Sequence, residues 1–308
     1  MNKYIIGFVV LLLVIGGAYV LSTYQNGNSM TQGKGHMMEN TNGKPIAQSH
    51  RSYELDITSK NNTVKPQQPT TMAYRIKNEK NEILKNYEVV HEKIMHFIAV
   101  RKDLQYFQHI HPTFNESTGE FTIDVTFPTD GIYRLFPDFT PAKFEDNPQL
   151  LSVTLFKDIE VGDLGKYTAQ NVTPDTTAKK SVGDYDFTYI FPNQEELKAQ
   201  TELTFSLLIN KNGQPVKDLE TYLGALGHCV ILRAGNLDFI HTHPQEIKVD
   251  SSVGDHTMQM KGKVNTSQNK GPEIDFATSF PEPGIYRVFT QFQHQGKVIT
   301  VEYALAIN

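Results

Sequence analysis

Most of this chain is written twice, and that duplication limits what it can fold into. The segment HFIAVRKDLQYFQHIHP, His96 to Pro112, is answered by HCVILRAGNLDFIHTHP, His228 to Pro244, at an offset of 132 residues. A second pair follows: FPTDGIYRLFPDF, Phe127 to Phe139, and FPEPGIYRVFTQF, Phe280 to Phe292, at an offset of 153. Repeat two therefore carries 21 more residues between its blocks. Each repeat closes on an apolar, strand-like run, Leu150 to Val161 and Lys297 to Ile307. Self-similarity of this kind signals one structural unit used twice.

The unit reads as β throughout. Tyr53-Glu-Leu-Asp-Ile-Thr, Phe121 to Phe127 and Thr204-Phe-Ser-Leu-Leu-Ile alternate apolar and polar residues, the period of a half-buried strand. Pro128-Thr-Asp-Gly131 and Pro281-Glu-Pro-Gly284 punctuate the runs, and Lys211-Asn-Gly-Gln reads as a hairpin turn. Only Gln194 to Gln200 looks helical within the body. With 308 residues, about two domains are expected. The expected fold is all-β, two tandem immunoglobulin-like sandwiches after one N-terminal hydrophobic helix. The expected divisions are 1–21, a signal anchor or signal peptide; 22–50, a flexible linker; 51–163, repeat one; and 164–308, repeat two. Tyr133 and Tyr286, each two residues after a glycine, look like corner tyrosines of such sandwiches. Phe136, Phe139, Phe289 and Phe292 are expected to pack in cores or between domains.

The N-terminus reads as an export element. After Lys3, Tyr4 to Leu21 runs 18 residues without a charge. As a helix it spans about 27 Å, close to a hydrocarbon core of about 30 Å. An uncleaved anchor and a cleaved signal, with Val20 and Ser22 near the cut, both fit. Either places the remaining chain outside the cytoplasm, tethered to the cell membrane or secreted. Ser22 to His50 is polar and aperiodic, a spacer. Its His36-Met37-Met38 tract is solvated linker or an auxiliary metal-capture segment.

Histidine placement carries the chemistry. If a two-residue turn sits on Lys102 and Asp103, Ile98 pairs with Phe107 and His96 with His109, and His111 lies diagonal to His96 on the same face. Repeat two gives the same arrangement for His228, His241 and His243. Cross-strand Cβ atoms lie about 5 Å apart and diagonal ones about 7–8 Å. Three imidazoles so placed can converge on one ion. The competing reading is that the histidines brace strands through backbone hydrogen bonds. Imidazole suits copper and zinc among others, so a copper or zinc ion is the expected ligand at His96, His109 and His111 and at His228, His241 and His243. The repeats differ around the triplets: His91 answers to Leu223, and Asp138 to Gln291. His256-Thr-Met258-Gln-Met260 in the repeat-two insert and a lone His294 are further candidates.

Other chemistries find little support. Lys plus Arg is 29 and Asp plus Glu 34, a net charge of −5 with no basic run, which argues against nucleic acid as a partner. The single cysteine, Cys229, excludes an intrachain disulfide framework and reads as a buried core thiol. No phosphate loop, G-x-S-x-G elbow or H-E-x-x-H motif occurs.

The segments His91-Glu-Lys-x-Met-His96, Asp103-Leu-x-x-Phe-x-His-x-His-Pro112 and Gly131-x-Tyr-Arg-x-Phe resemble a known group. So do Tyr222-Leu-Gly-Ala-x-Gly-His228, His241-x-His-Pro244 and Gln291-Phe-Gln-His294-x-Gly296 in repeat two. The group comprises bacterial secreted or membrane-anchored proteins with tandem β-sandwich repeats carrying HxHP motifs, some with an attached heavy-metal-binding module. The resemblance covers residues 70 to 308 and implies an extracytoplasmic place and a link to metal handling.

Three functions are in play. The first is an extracytoplasmic, membrane-tethered protein that binds copper or zinc for buffering, delivery or resistance. The second is a structural ectodomain, or one binding a membrane or secreted protein partner, with structural histidines and no metal. The third is a metal-dependent enzyme, for which no partnered general base is visible; a non-enzymatic role is expected.

Overall fold

The structure, a computed structural model, describes residues 53–59, 63–142, 152–192, 197–244 and 271–308. Repeat one contributes β1 (Glu54–Ser59), β2 (Pro69–Lys77), β3 (His96–Arg101), β4 (Phe107–Ile110), β5 (Thr113–Asn115), β6 (Glu120–Thr126), β7 (Gly131–Phe139), β8 (Val153–Thr154) and β9 (Lys157–Val161). Repeat two contributes β10 (Lys179–Val182), β11 (Tyr185–Ile190), β12 (Glu202–Lys211), β13 (Gln214–Pro215), β14 (His228–Arg233), β15 (Phe239–Thr242), β16 (Glu273–Ser279), β17 (Gly284–His294) and β18 (Lys297–Ile307). A 3-10 turn, Leu164–Lys166, is the only helical element among the described residues. The fold is all-β, as expected. Leu197 to Gln200 forms no helix, and the rest of that helix-like stretch lies outside the described residues.

Each repeat folds into two antiparallel sheets. In repeat one these are β1-β2-β6-β5 and β4-β3-β7, with β8 and β9 along the outer side of β7. In repeat two they are β10-β11-β12 with β13 and β16 on β12, and β15-β14-β17-β18. One aromatic-rich core lies between the sheets of each repeat, around Tyr74, Phe97, Phe121 and Tyr133 in the first and Phe187, Phe205, Phe276 and Phe292 in the second. Both corner tyrosines close as expected: Tyr133 Oη donates to Thr129 O at 2.9 Å and Tyr286 Oη to Glu282 O at 2.7 Å. Asn212 and Gly213 take positive φ in the β12–β13 hairpin, the geometry of a two-residue turn.

A third core joins the repeats. It gathers Ile98, Val100, Leu104 and Phe136 from repeat one with Val230, Leu232, Leu237 and Phe289 from repeat two. Strand alternation explains it. On β3, Phe97 and Ala99 face the repeat's own core, while Ile98 and Val100 face the other repeat. All six residues of β3 are therefore buried. The contacts obey an internal two-fold. Phe107 stacks on Phe289 at 4.3 Å and 9°, and Phe239 meets Phe136 at 5.1 Å. Arg134 Nη1 donates to Asn236 O at 3.0 Å and Arg287 Nη1 to Leu104 O at 3.1 Å. Of the four phenylalanines singled out in sequence, Phe136 and Phe289 join the repeats, and Phe139 and Phe292 fill the individual cores.

The hairpin register differs from the sequence expectation. Ile98 pairs with His109, not Phe107, and Val230 pairs with His241. The loop holds four residues, not two. Arg101 N–H donates to Tyr106 O at 3.1 Å, and Leu104 at φ +60 turns its side chain into the inter-repeat core. The shift is by two residues, so every side chain keeps its face.

The hydrophobic run Tyr4 to Leu21, the linker with His36-Met37-Met38 and the His256-Thr-Met258-Gln-Met260 segment lie outside the described residues. Among the described residues no helix is long and apolar enough to cross a membrane.

If the inter-repeat core holds the repeats together, Phe289→Ala should cost about 3–5 kcal/mol. Urea unfolding followed by tyrosine fluorescence measures this, and a midpoint unchanged from the parent contradicts it.

Candidate metal centre

The strand positions that face the other repeat end in polar residues at one end of the interface. His96 continues the Ile98 and Val100 row, and His109 continues the Phe107 row. Asp138 follows Phe136. His228, His241 and Gln291 do the same in repeat two. The same alternation that builds the apolar contact therefore delivers the histidines of both repeats to one place. His96, His109, His228, His241, Asp138 and Gln291 are all buried or nearly so.

Each expected triplet converges. The ring centroids of His96, His109 and His111 lie 5.0–5.2 Å apart. Those of His228, His241 and His243 lie 4.6–5.8 Å apart. In each triplet one nitrogen per ring lies within 4.8 Å of the other two. The triplets also meet one another. His96 is 6.0 Å from His228 and 5.5 Å from His241, and His109 is 5.8 Å from His241. His91 joins as a seventh ring, stacked on His243 at 3.6 Å and 23°. Its φ of +49 in the tight turn closed between Val90 and Lys93 aims it across the interface. In the sequence His91 stands out as a difference between the repeats and as the start of the His91-Glu-Lys-x-Met-His96 segment, not as a member of a triplet.

Hydrogen bonds fix which nitrogen is offered by His96, His109, His228 and His241. His96 Nε2–H donates to Val90 O at 3.2 Å, and His228 Nε2–H to Tyr222 O at 2.9 Å. His109 Nδ1–H donates to Gln291 Oε1 at 2.9 Å, and His241 Nδ1–H to Asp138 Oδ2 at 2.9 Å. The second pair crosses between repeats. Gln291 is held by its own bond to Thr300 Oγ1, and Asp138 accepts from Thr154 Oγ1. In these neutral tautomers the inward nitrogens carry lone pairs. His96 Nδ1 and His109 Nε2 stand 3.0 Å apart, lone pair toward lone pair, and His111 Nε2 is 3.3 Å from the same His96 atom. In the other triplet His228 Nδ1, His241 Nε2 and His243 Nε2 are buried without any partner. An ion held by three imidazoles at about 2.0–2.1 Å sets its ligand nitrogens roughly 3.3 Å apart. The 3.0 and 3.3 Å spacings in the first triplet fit such an ion, and copper and zinc both suit an all-imidazole set.

Burial holds all seven rings neutral. It pushes His111 and His228 down to about 3, aided by neighbouring imidazoles. His109, His241 and His243 are held well below the ordinary histidine value, and His91 and His96 move in the same direction, burial being the first cause throughout. Burial raises the Asp138 carboxyl, against the bond from Thr154. Cys229 stays out of the centre, fully buried on the opposite face of β14, its thiol pushed up to about 12. His294 is buried, not on the surface, and sits apart between Tyr185 Oη at 2.8 Å and Asp218 at 3.1 Å.

The chain is thus a two-repeat β-sandwich protein with a histidine centre between its repeats. The family described as Domain of unknown function (DUF8832) matches residues 49–149 and 180–308, and the chain belongs to that family. No curated protein matches it. Among solved structures it is similar to the Escherichia coli adhesin FdeC, at 12% identity and a TM-score of 0.23 over 82% of this chain and 63% of that one. Another is Escherichia coli alpha-2-macroglobulin, at 10% identity and 0.26 over 83% and 14%. The Yersinia pseudotuberculosis adhesin InvE matches at 9% and 0.21 over 82% and 58%. The chain spans less than two thirds of the length of each.

The neutral rings make the metal-free protein sensitive to acid. Between about pH 3 and 6.5 the unfolded chain binds a proton at His228 that the folded chain does not. Stability therefore falls as pH drops through that window and returns above 6.5. At pH 5 His228 alone accounts for about 2 kcal/mol. Asp138 acts in the opposite sense, one group against seven. Calorimetric melting of chelator-treated protein should show a transition several degrees lower at pH 5 than at pH 7.5. An unchanged or higher transition at pH 5 contradicts neutral burial.

Proposed function

We propose that this protein binds a transition metal, copper or zinc, at the centre between its repeats. His96, His109 and His111 form one set of ligands and His228, His241 and His243 the other. One observation carries the reading: His228 Nδ1, His241 Nε2 and His243 Nε2 are buried without a hydrogen-bond partner, in three rings whose centroids lie 4.6–5.8 Å apart. Leaving a buried polar atom unpaired costs about 1–3 kcal/mol each, and a shared cation relieves all three at once. Bracing of strands explains the outward nitrogens that bond Val90 and Tyr222. It leaves the inward ones unexplained. The imidazole set without thiolates favours copper(II) and zinc(II), copper the tighter of the two.

The role we propose is metal buffering, delivery or resistance outside the cytoplasm, by a binding protein and not an enzyme. The charge-free run Tyr4 to Leu21 supports that location, as signal anchor or cleaved signal. A membrane or secreted protein would be the natural recipient of the ion.

Isothermal titration of chelator-treated protein with zinc(II) and copper(II) tests the binding. Affinity tighter than millimolar is expected, with His109→Ala combined with His111→Ala removing at least half of the capacity. Zinc at a hundredfold excess over Kd should stabilise the fold by about 2.7 kcal/mol, read as a rise in Tm that chelator reverses. A double variant that lowers Tm equally with and without chelator, and binds like the parent, would leave only the bracing role.

A further inference from the structure

We infer that the two triads are unequal: His228, His241 and His243 fill first and retain their ion, while His96, His109 and His111 are the exchange position. The inference rests on the metal reading above and concerns how that centre is used. Three differences between otherwise matched positions point the same way.

The first is the residue behind the middle histidine. His241 Nδ1–H donates to the Asp138 carboxylate, and His109 Nδ1–H to the Gln291 amide. A carboxylate behind a ligating imidazole raises its basicity and brings a negative charge to the ion, whereas an amide only orients the ring. The second is Lys93, whose ammonium acts on His111 and, against a larger opposing effect of the Asp138 carboxylate, on His96. The matching position in repeat two is Ala225. A positive charge beside one triad and not the other disfavours a cation there. The third is His91, stacked over His243, where the matching residue is Leu223. It covers the second triad with a further nitrogen base. His109 and His111 also line a cleft of about 630 Å³ with Thr113, Thr122 and Asp124. That cleft offers an ion a route to and from the first triad.

The bond from His241 to Asp138 also crosses between repeats. The bond from His109 to Gln291 crosses as well, so filling either triad ties repeat one to repeat two.

The test uses the full chain in detergent, stripped with chelator and titrated with zinc(II) against a chromophoric competitor. Two ions per chain are expected, with dissociation constants at least tenfold apart. Asp138→Asn, nearly isosteric, should weaken the tighter event by 10- to 100-fold and leave the weaker one within twofold. Gln291→Glu, which gives the first triad its own carboxylate, should tighten the weaker event about tenfold. Two events of equal affinity, one ion shared by all six rings, or Asp138→Asn weakening both events alike would overturn the ordering while leaving zinc binding intact. No zinc binding by the parent would overturn the metal reading itself. Should Asp138→Asn fail to fold, Gln291→Glu decides alone: an unchanged weaker event overturns the ordering.

Discussion

Strands with two buried faces organise this molecule. An antiparallel sandwich strand ordinarily shows one face to water. Here β3 and β14 bury both, because the sheet that closes each repeat's own core also packs against its counterpart in the other repeat. Period-two alternation then sorts residues without ambiguity. Phe97, Ala99, Cys229 and Ile231 go to the repeats' own cores, and Ile98, Val100, Val230 and Leu232 go to the shared one. His96 and His228 are simply the next positions on the shared rows. Their burial is set by the apolar packing beside them, and so is the meeting of rings from both halves.

That setting makes the histidine nitrogens informative. A buried imidazole has two polar atoms to satisfy, and a role confined to bracing strands would satisfy both. In the second triad the remote nitrogens of His228 and His241 have well-placed acceptors in Tyr222 O and Asp138, and the near nitrogens have nothing. In the first, two near nitrogens oppose each other at 3.0 Å although each ring already spends its proton elsewhere. Lone pairs in that geometry repel unless a cation sits among them. The pattern is the one that an outer hydrogen-bonding shell gives to metal-ligating histidines, and it supports the proposed reading.

Much of this was legible in the residues. Duplication and alternation gave the all-β class, both tyrosine corners, and the membership of each triplet. The register was misread by two residues because Leu104 lengthens the hairpin loop to reach the shared core, yet an even shift preserves faces and so the triplets survived. The union of the triplets was not read. Its signal was present: Phe97-Ile-Ala-Val100 and Cys229-Val-Ile-Leu232 are unbroken apolar runs, the mark of a strand buried on both sides, and the same run in both repeats implies a surface that each offers the other. The place of His91 had no comparable signal, since it depends on a tight turn with two successive positive φ values that only coordinates reveal.

The differences between the repeats are not scattered evenly. Residues that hold the halves together keep their partners across the internal two-fold: Arg134 and Arg287 each donate to a loop carbonyl of the other repeat, and Phe107 and Phe239 each meet a phenylalanine. The six histidines of the triplets are themselves matched, residue for residue. The changes Asp138 for Gln291, His91 for Leu223 and Lys93 for Ala225 lie in the shell just behind or over the rings. A shell that only propped up strands would have no reason to differ in charge between two matched supports. A shell that tunes two neighbouring cation sites would, because equal sites a few ångströms apart compete for the same ion and repel each other's occupants. Unequal charge behind the rings gives such a centre one position that keeps its ion and one that can pass it on.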